Sequence, residues 1–390
     1  MEQEEKMTQF RNITIKISLF FIKVINEIVP KDQKRILFYS YVDYSDNCRS
    51  LYERLKLSDN YDGYRITWIV KEPSRFYNDN YATEFVKHKS LKSCIRFLRS
   101  KYIFRTHSLF GGIYSKNKQV MCLAWHGMPL KRIGVLNGER VKQNNYDFLN
   151  VTSPFFQKIM ADSMNSKLER NIITGLPRND DLFSSNEILK ILDLSSFSKV
   201  VIWMPTFRNS FSGVCNGIET TTGVPLFEKI QNFEVFNEIL SKFGIVLLLK
   251  LHPWASNRFG NNLNFSHIRL IRDSEIPSQF TLYNLVGASD ALLTDYSSVY
   301  IDYLLIDKPI GFVFDDMEEY QSGRGFNFDP VEEYLPGEII TNIDQLFEFF
   351  DKVATDEDKY QGDRDKVCKL FHTFRDGKSS ERFLRAVGLL

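Results

Sequence analysis

The chain has 390 residues, of which 43% are hydrophobic and 25% are charged, a composition typical of a folded globular protein long enough for two domains. Its formal net charge of +1 at pH 7 excludes a strongly basic protein that binds nucleic acid through its overall charge. The five cysteines are scattered and form no CxxC pair, which favours reduced thiols in a cytosolic protein over disulfides or a zinc site.

An amphipathic segment comes first along the chain, and we predict a helix within residues 1–30. Apolar side chains of residues 13–28 fall on one helical face, but Lys16, Lys23 and Glu27 interrupt the segment, so it cannot span a membrane. Two interpretations stay open. The helix packs on its own domain, or it lies in a membrane interface with its apolar face in lipid.

Strands and helices then alternate through two successive sets, which predicts an α/β fold with two doubly wound parallel sheets. Strands predicted in a first domain of residues 31–190 cover residues 36–41, 66–70, 102–106, 120–125, 149–152 and 171–174. Strands predicted in a second domain of residues 191–373 cover residues 200–205, 245–251, 268–271, 291–294, 310–314 and 338–341. Residues 374–390 are predicted to form a closing helix. Two Rossmann-like domains of this kind would face each other across a central cleft.

The stretch from residue 291 to residue 298 reads as a strand, a tight turn and the start of a helix. Its apolar run ends at Thr294, Asp295, Ser297 and Ser298, which are residue types that cap helix N-termini. Free backbone N–H groups there suit a phosphate, and ligands of open parallel sheets bind beyond the carboxyl ends of the strands. An ordinary helix cap is the alternative interpretation.

Polar and charged residues also follow other predicted strands, namely His126, Gly127, Lys131, Arg132, Arg178, Arg208, Lys250 and His252. Histidine titrates near neutrality and can take a proton from a hydroxyl or donate to a phosphate. Arg208, Lys250 and Arg324 could neutralise a diphosphate, although each taken singly could be a surface ion pair.

Two sequence features argue against other classes of site. The chain has no GxxxxGK(S/T) loop and no GxGxxG after a strand, which counts against an ATPase or a dehydrogenase. The pair Asp315 and Asp316 has no second carboxylate cluster nearby, so we predict no metal site.

Six motifs occur in order along the chain: HGMPLK, TGLPRND, MPTFR, KLHP, LLTDYSS and RGFNFD. Together they resemble the CDP-glycerol glycerophosphotransferase family, which includes teichoic acid primases and polymerases and related capsule enzymes, over roughly residues 35–388. The resemblance implies a GT-B fold. It also implies transfer of glycerol phosphate or ribitol phosphate from CDP-glycerol or CDP-ribitol to an undecaprenyl-diphosphate-linked glycan, with release of CMP. Such an enzyme would need no cofactor and would work peripherally on the cytoplasmic face of the cell membrane.

The resemblance also implies roles for single residues. His126 corresponds to the general base, His252 to the donor-site histidine, Ser297 and Ser298 to the pair near the diphosphate, and Arg324 to the arginine of the RG motif. The remaining expected contacts are Lys250, Thr294, Asp295 and Arg208 on the donor side and Gly127, Lys131, Arg132 and Arg178 on the acceptor side.

Two other functions stay open at this stage. An inverting hexosyltransferase that uses a nucleotide sugar would release a nucleoside diphosphate instead of CMP. A non-catalytic, membrane-bound scaffold of a polymer-assembly complex is the other alternative, and the presence of both His126 and His252 argues against it. The absence of a large extra domain favours a primase or short-chain enzyme, while the choice between glycerol and ribitol is not predicted.

Overall fold

The first of two parallel β-sheets forms the core of the N-terminal half. The computed structural model describes residues 16–59, 61–76, 83–141, 145–184, 187–206, 226, 230, 232–251, 265–314 and 325–390. The strands of the first sheet are β1 (Asp32–Tyr39), β2 (Arg65–Val70), β3 (Glu84–Lys87), β4 (Ser100–Arg105), β5 (Val120–Leu123), β6 (Phe148–Val151) and β7 (Asn171–Ile173). All neighbours pair in parallel, in the order β3-β2-β1-β4-β5-β6-β7.

The second sheet repeats this plan in the C-terminal half. Its strands are β8 (Lys199–Met204), β9 (Ile245–Leu249), β10 (Ile268–Leu270), β11 (Ala291–Thr294), β12 (Ile310–Val313) and β13 (Glu338–Ile340). They pair in parallel in the order β10-β9-β8-β11-β12-β13. The order of the strands reverses between β1 and β4 and again between β8 and β11, which are the positions where doubly wound sheets bind ligands.

Helices cover both sheets, so the strands read as apolar runs. The described helices are α1 (residues 16–28), α2 (Asp46–Lys56), α3 (Leu91–Arg99), α4 (Pro154–Ser163), α5 (Glu187–Ile191), α6 (Phe233–Lys242), α7 (Leu282–Ala288), α8 (Val299–Tyr303), α9 (Ile343–Ala354), α10 (Gln361–Phe371) and α11 (Ser379–Ala386). All five residues of β9 are buried, as expected for a parallel strand packed on both faces. In the described part of the chain, no helix has the length and apolarity needed to cross a membrane.

The predicted strands are all present, with ends that differ by a few residues, and the α/β fold class is confirmed. Strand β3 was not predicted, because it has four residues and charged side chains at both ends. Helix α10 was also not predicted, since its charged residues obscure the apolar spacing. Helix α6 begins at Phe233, and Leu226 lies in a turn before it. The domain limits at residues 30, 190 and 373 stay predictions.

The final helix packs on the first sheet although it follows the second sheet in sequence. Phe383 and Leu384 of α11 lie in the core cluster of β1, β2 and β4, where the Phe383 ring contacts Phe104 with centroids 6.1 Å apart. The Asp180 carboxylate accepts hydrogen bonds from the backbone N–H groups of Ser379 at 2.7 Å and Ser380 at 2.8 Å. Asp180, in the TGLPRND motif, therefore fixes the start of α11 against the N-terminal half.

We expect Asp180→Ala to lower the free energy of unfolding by about 1–2 kcal/mol, because the first two N–H groups of α11 lose their buried acceptor. Chemical denaturation followed by circular dichroism measures this change. Asp363→Ala, which removes an exposed carboxylate from the first turn of α10, is the control and should change stability by less than about 0.5 kcal/mol. Equal effects of the two substitutions would contradict the role given to Asp180.

Candidate functional site

The two halves of the chain make a close contact at Gly127, in the loop that follows β5. Its φ is 144°, and a Cβ atom at this position would lie 2.5 Å from Ser298 Oγ and 3.1 Å from Arg178 Nη2. Both the backbone angle and the space therefore require glycine. The close approach that Gly127 permits brings the loop carrying His126 against the residue that precedes α8.

His126 lies in an aromatic stack beside this contact. Its ring is nearly parallel to His107, with centroids 4.9 Å apart and an interplanar angle of 8°, and Trp125 lies 4.2 Å away. The Nδ1 atom is buried and has no hydrogen-bond partner among the described residues. Burial is the main cause that lowers the pKa of His126 to about 4; the Asp46 carboxylate acts in the opposite direction, and the charge of Arg178 adds to the lowering. The imidazole is therefore neutral at physiological pH.

His107 is held in place through both its ring and its backbone carbonyl group. It follows β4, where Thr106 Oγ1 lies 2.9 Å from His107 Nδ1 and accepts the backbone N–H of Tyr41 at 3.3 Å. The Thr106 hydroxyl hydrogen can then point at His107 Nδ1, which favours the tautomer protonated on Nε2. The buried Arg105 donates to the His107 carbonyl oxygen at 3.1 Å. These contacts fix the ring against which His126 stacks.

Arg178, expected on the acceptor side, bridges the two halves of the molecule. Its Nη1 donates to Asp46 Oδ1 at 3.0 Å and its Nη2 donates to Asp302 Oδ2 at 2.7 Å. Asn47 ties the same loops together, since its side chain donates to the Trp125 carbonyl oxygen at 2.6 Å and accepts the Arg178 backbone N–H at 2.9 Å. A role of Arg178 in contacting an acceptor stays a prediction.

A second connection between the halves is a short antiparallel bridge between Lys131 and Phe326. The Arg132 backbone N–H donates to the Gly325 carbonyl oxygen at 3.2 Å, and its side-chain Nε donates to the Phe326 carbonyl oxygen at 3.0 Å. Asn327 donates its side-chain amide to the carbonyl oxygens of two residues in the HGMPLK segment, each at 2.8 Å. The RGFNFD segment is thus anchored on the N-terminal half from Gly325 onward.

The turn that follows β8 is held by Thr294 and Asp295, two residues expected on the donor side. Thr294 Oγ1 donates to the Met204 carbonyl oxygen at 2.9 Å, while the buried Asp295 carboxylate accepts the Thr206 hydroxyl at 2.6 Å and its backbone N–H at 2.8 Å. Their side chains therefore fix residues 204–206, the start of the MPTFR motif. Ser297 Oγ accepts the Val299 backbone N–H at 3.4 Å, so it serves as a weak cap of α8.

The other expected donor-side residues are only partly within the described structure. Lys250 is buried after β9, and its Nζ pairs with Asp273 Oδ1 at 3.1 Å. Arg208, His252 and Arg324 lie outside the described residues. Within the described ranges, no group of three or more histidine, cysteine, aspartate or glutamate side chains is arranged to hold a metal ion.

Sequence reasoning missed four residues that the structure brings to the site: Asp46, Asn47, His107 and Asp302. The first three follow β1 or β4. The rule that site residues lie beyond strand ends was applied to β5, β7, β8 and β9, and its application to β1 and β4 would also have found these three. Asp302 lies inside a helix, and only its spacing of four residues from Ser298 hints at a shared helical face.

The sequence of the chain is similar to those of known proteins. The sequence profile of the family described as CDP-glycerol:poly(glycerophosphate) glycerophosphotransferase matches residues 21–389. The chain is 27% identical to a teichoic acid poly(glycerol phosphate) polymerase of Bacillus spizizenii, with 89% of this chain and 90% of that protein covered. It is 25% identical to a teichoic acid glycerol-phosphate transferase of Staphylococcus aureus, with 88% and 90% covered.

Solved structures give the same result for the fold. A structure of the wall teichoic acid polymerase TagF superposes with a TM-score of 0.77 and 23% identity, covering 98% of this chain and 96% of that one. A UDP-GlcNAc 2-epimerase of Methanocaldococcus jannaschii shares the fold at a TM-score of 0.52 and 11% identity, covering 90% of this chain and 99% of that one. The predicted GT-B fold and the predicted transferase class are confirmed. The chain belongs to the CDP-glycerol:poly(glycerophosphate) glycerophosphotransferase family.

Proposed function

We propose that this chain transfers an alditol phosphate, from CDP-glycerol or CDP-ribitol, to a hydroxyl group of an undecaprenyl-diphosphate-linked glycan and releases CMP. The observation that supports this best is the contact across the cleft, where the loop of His126 meets Ser298 at Gly127. A proton acceptor on one half and a phosphate-binding strand end on the other would then face the same reacting phosphorus atom.

The reaction follows from these positions. The acceptor oxygen attacks the phosphorus atom that bears the alditol, the bond from that phosphorus to the bridging oxygen breaks, and CMP leaves with the electron pair. The leaving phosphate is a weak base, so the reaction depends on positioning and charge stabilisation more than on a strong acid. His126, neutral in the free protein, takes the acceptor proton.

The negative charge of the donor is proposed to lie at the carboxyl ends of β9 and β11. Ser297 and Ser298 precede α8 and offer backbone N–H groups at the end of β11. Lys250, the first residue of the KLHP motif, is buried directly after β9. His252, Arg208 and Arg324 are proposed to add hydrogen bonds and positive charge to the diphosphate. Helix α8 has five residues, so local N–H groups matter here more than a long helix dipole.

Membrane attachment is proposed to use α1. Six large apolar side chains on this helix are between 43% and 73% exposed: Ile17, Phe20, Phe21, Val24, Ile25 and Ile28. The helix is fixed to the protein along a narrow strip, where the buried Asn26 side chain donates to Gln119 Oε1 at 2.7 Å and Ser115 Oγ donates to the Glu27 carboxylate at 2.7 Å. Its apolar face is therefore free to enter the cytoplasmic leaflet, which would bring the site to a lipid-linked acceptor.

The proposal is tested by measuring the nucleotide that purified protein releases from CDP-glycerol, from CDP-ribitol and from a nucleotide sugar, each with a lipid-linked disaccharide acceptor. We expect CMP with one or both donors, and the better donor identifies the alditol. Release of a nucleoside diphosphate from a nucleotide sugar would point to the hexosyltransferase. Absence of turnover with every donor would favour the scaffold.

We predict that His126→Ala lowers turnover by roughly 10²–10⁴-fold, the usual contribution of a general base, with little change in CDP affinity. His252→Ala should weaken donor binding as well as turnover, because its proposed partner is the diphosphate. Calorimetry with CDP and a CMP-release assay separate the two effects, with folding checked by circular dichroism. Near-normal CMP release by His126→Ala would rule out the base, and loss of CDP binding would move His126 to the donor site.

We predict that the His126 imidazole titrates at a pKa of about 4 in the free protein and that CDP raises this pKa. Burial disfavours the imidazolium in the free protein, whereas a nearby diphosphate stabilises it. The same shift makes the free energy of unfolding depend on pH. The unfolded chain binds this proton at about pH 6.5 and the folded chain only at about pH 4, so the protein loses stability as the pH falls from about 6.5 towards 4. NMR titration of the imidazole signal, assigned by its loss in His126→Gln, tests this. An ordinary pKa, or no change with CDP, would contradict it.

We predict that Phe20→Asp combined with Phe21→Asp releases the protein from anionic vesicles without unfolding it, because both rings are exposed on the apolar face of α1. Vesicle co-sedimentation measures binding, and thermal unfolding measures stability. Leu57→Asp changes an even more exposed apolar residue outside α1 and should leave vesicle binding intact. Unfolding of the double variant would show that α1 is part of the core instead.

A further inference from the structure

The contact between Arg178 and Asp302 joins the two halves of the molecule inside the site. Arg178 comes from the loop after β7, and Asp302 comes from α8. The Arg178 side chain is 12% exposed and the Asp302 side chain is fully buried. The Arg178 Nε atom is itself buried and has no partner among the described residues. Little of this guanidinium is therefore left for a substrate.

Asp302 is surrounded by donors that fix both of its oxygens. Oδ2 accepts from Arg178 Nη2 at 2.7 Å and from the Tyr283 hydroxyl at 2.6 Å, and Oδ1 accepts from Asn179 Nδ2 at 3.0 Å. The guanidinium also lies over the Tyr283 ring, 4.6 Å from its centroid. Charge-assisted bonds in this geometry leave the guanidinium one orientation.

This pair lies at the point where the His126 loop meets the donor side. Asp302 follows Ser298 by four residues, so both face the same side of the short helical segment. The position that a Gly127 Cβ atom would take is 2.5 Å from Ser298 Oγ and 3.1 Å from Arg178 Nη2. A shift of the guanidinium would therefore move the loop of His126 relative to Ser298.

The second partner of Arg178 supports a role beyond packing. The Asp46 carboxylate accepts a hydrogen bond from Arg178 Nη1 at 3.0 Å. The backbone of Asp46 has a φ of 59°, in the left-handed region, which costs energy for a residue other than glycine. Asp46 and Arg178 also act in opposite directions on the charge of His126. The same contacts thus set both the position and the charge environment of the imidazole.

We propose, on the basis of the transfer reaction proposed above, that Arg178 and Asp302 are positioning residues that hold His126 and Ser298 at the spacing needed for transfer. In this role they act through the loop of Gly127, not through a direct contact with the reacting atoms. The pair also makes formation of the site depend on the closed arrangement of the two halves.

The test compares the single variants Arg178→Lys and Asp302→Asn with the double variant that combines Arg178→Gln and Asp302→Asn, and adds Arg178→Gln alone for the titration of His126. The control is Arg364→Lys, because Arg364 is another buried arginine between two carboxylates, at 2.9 Å from both Asp307 Oδ1 and Asp358 Oδ1, outside the site. For each variant we measure the unfolding midpoint, kcat and KM for CMP release, CDP affinity by calorimetry, and the NMR titration of His126.

We expect the two single variants to lower kcat by roughly 10- to 100-fold with CDP affinity almost unchanged, because a misplaced catalytic group affects the reaction more than binding. The control should lose stability and keep its kcat. The double variant leaves no buried unpaired charge, so it should fold better than Asp302→Asn and still be slow. Recovery of kcat together with stability in the double variant would overturn the proposal, and so would a loss of CDP affinity as large as the loss of kcat.

The titration separates this inference from the proposed function. Removal of the guanidinium charge in Arg178→Gln should raise the pKa of His126, whereas Arg178→Lys keeps the charge and should change it less. If the unmodified protein releases no CMP, the proposed transfer reaction fails, and the titration still reports whether the pair sets the surroundings of His126. Equal His126 titrations in the unmodified protein and in Arg178→Gln would overturn the positioning role.

Discussion

The close contact between Gly127 and Ser298 is the constraint on which the site depends. Only glycine satisfies both the φ of 144° and the 2.5 Å separation between a Cβ position and Ser298 Oγ. Two further contacts between the halves hold this contact in place: the ion pair of Arg178 with Asp302, and the β-bridge between Lys131 and Phe326. A strand-end loop of one sheet and a strand-end turn of the other are thereby fixed against each other, although 171 positions separate them in sequence.

The surroundings of His126 explain how such a site could control proton transfer. Within the described structure its Nδ1 atom has no acceptor to stabilise an imidazolium, and burial lowers its pKa to about 4. An anionic donor placed at Ser298 would supply the missing negative charge. In the proposed reaction, the imidazole therefore becomes an effective base only when the donor is bound, which couples removal of the acceptor proton to the presence of the phosphorus atom that the acceptor attacks.

The sequence predicted the parts of the molecule that depend on local patterns. Apolar runs of four to seven residues, separated by segments with helical spacing, predicted the two parallel sheets, and polar residues after β5 and β11 led to His126 and Ser298. The pairings across the cleft could not be predicted, because nothing local to Arg178 indicates a carboxylate 124 positions away. The hydrogen bonds of Asp295 to Thr206 were hidden for the same reason, since an aspartate after a strand is compatible with a phosphate site, a helix cap or a loop anchor.

We propose that transfer takes place where the His126 loop meets Ser298, and a crystal structure of the protein soaked with CDP-glycerol would show whether the donor binds there. We expect the diphosphate to bind beside the backbone N–H groups after β11, with the phosphorus atom that bears the alditol turned towards His126. A nucleotide held only by residues of the first sheet and its loops, with no contact to Ser298 or to the KLHP strand end, would rule out this donor site.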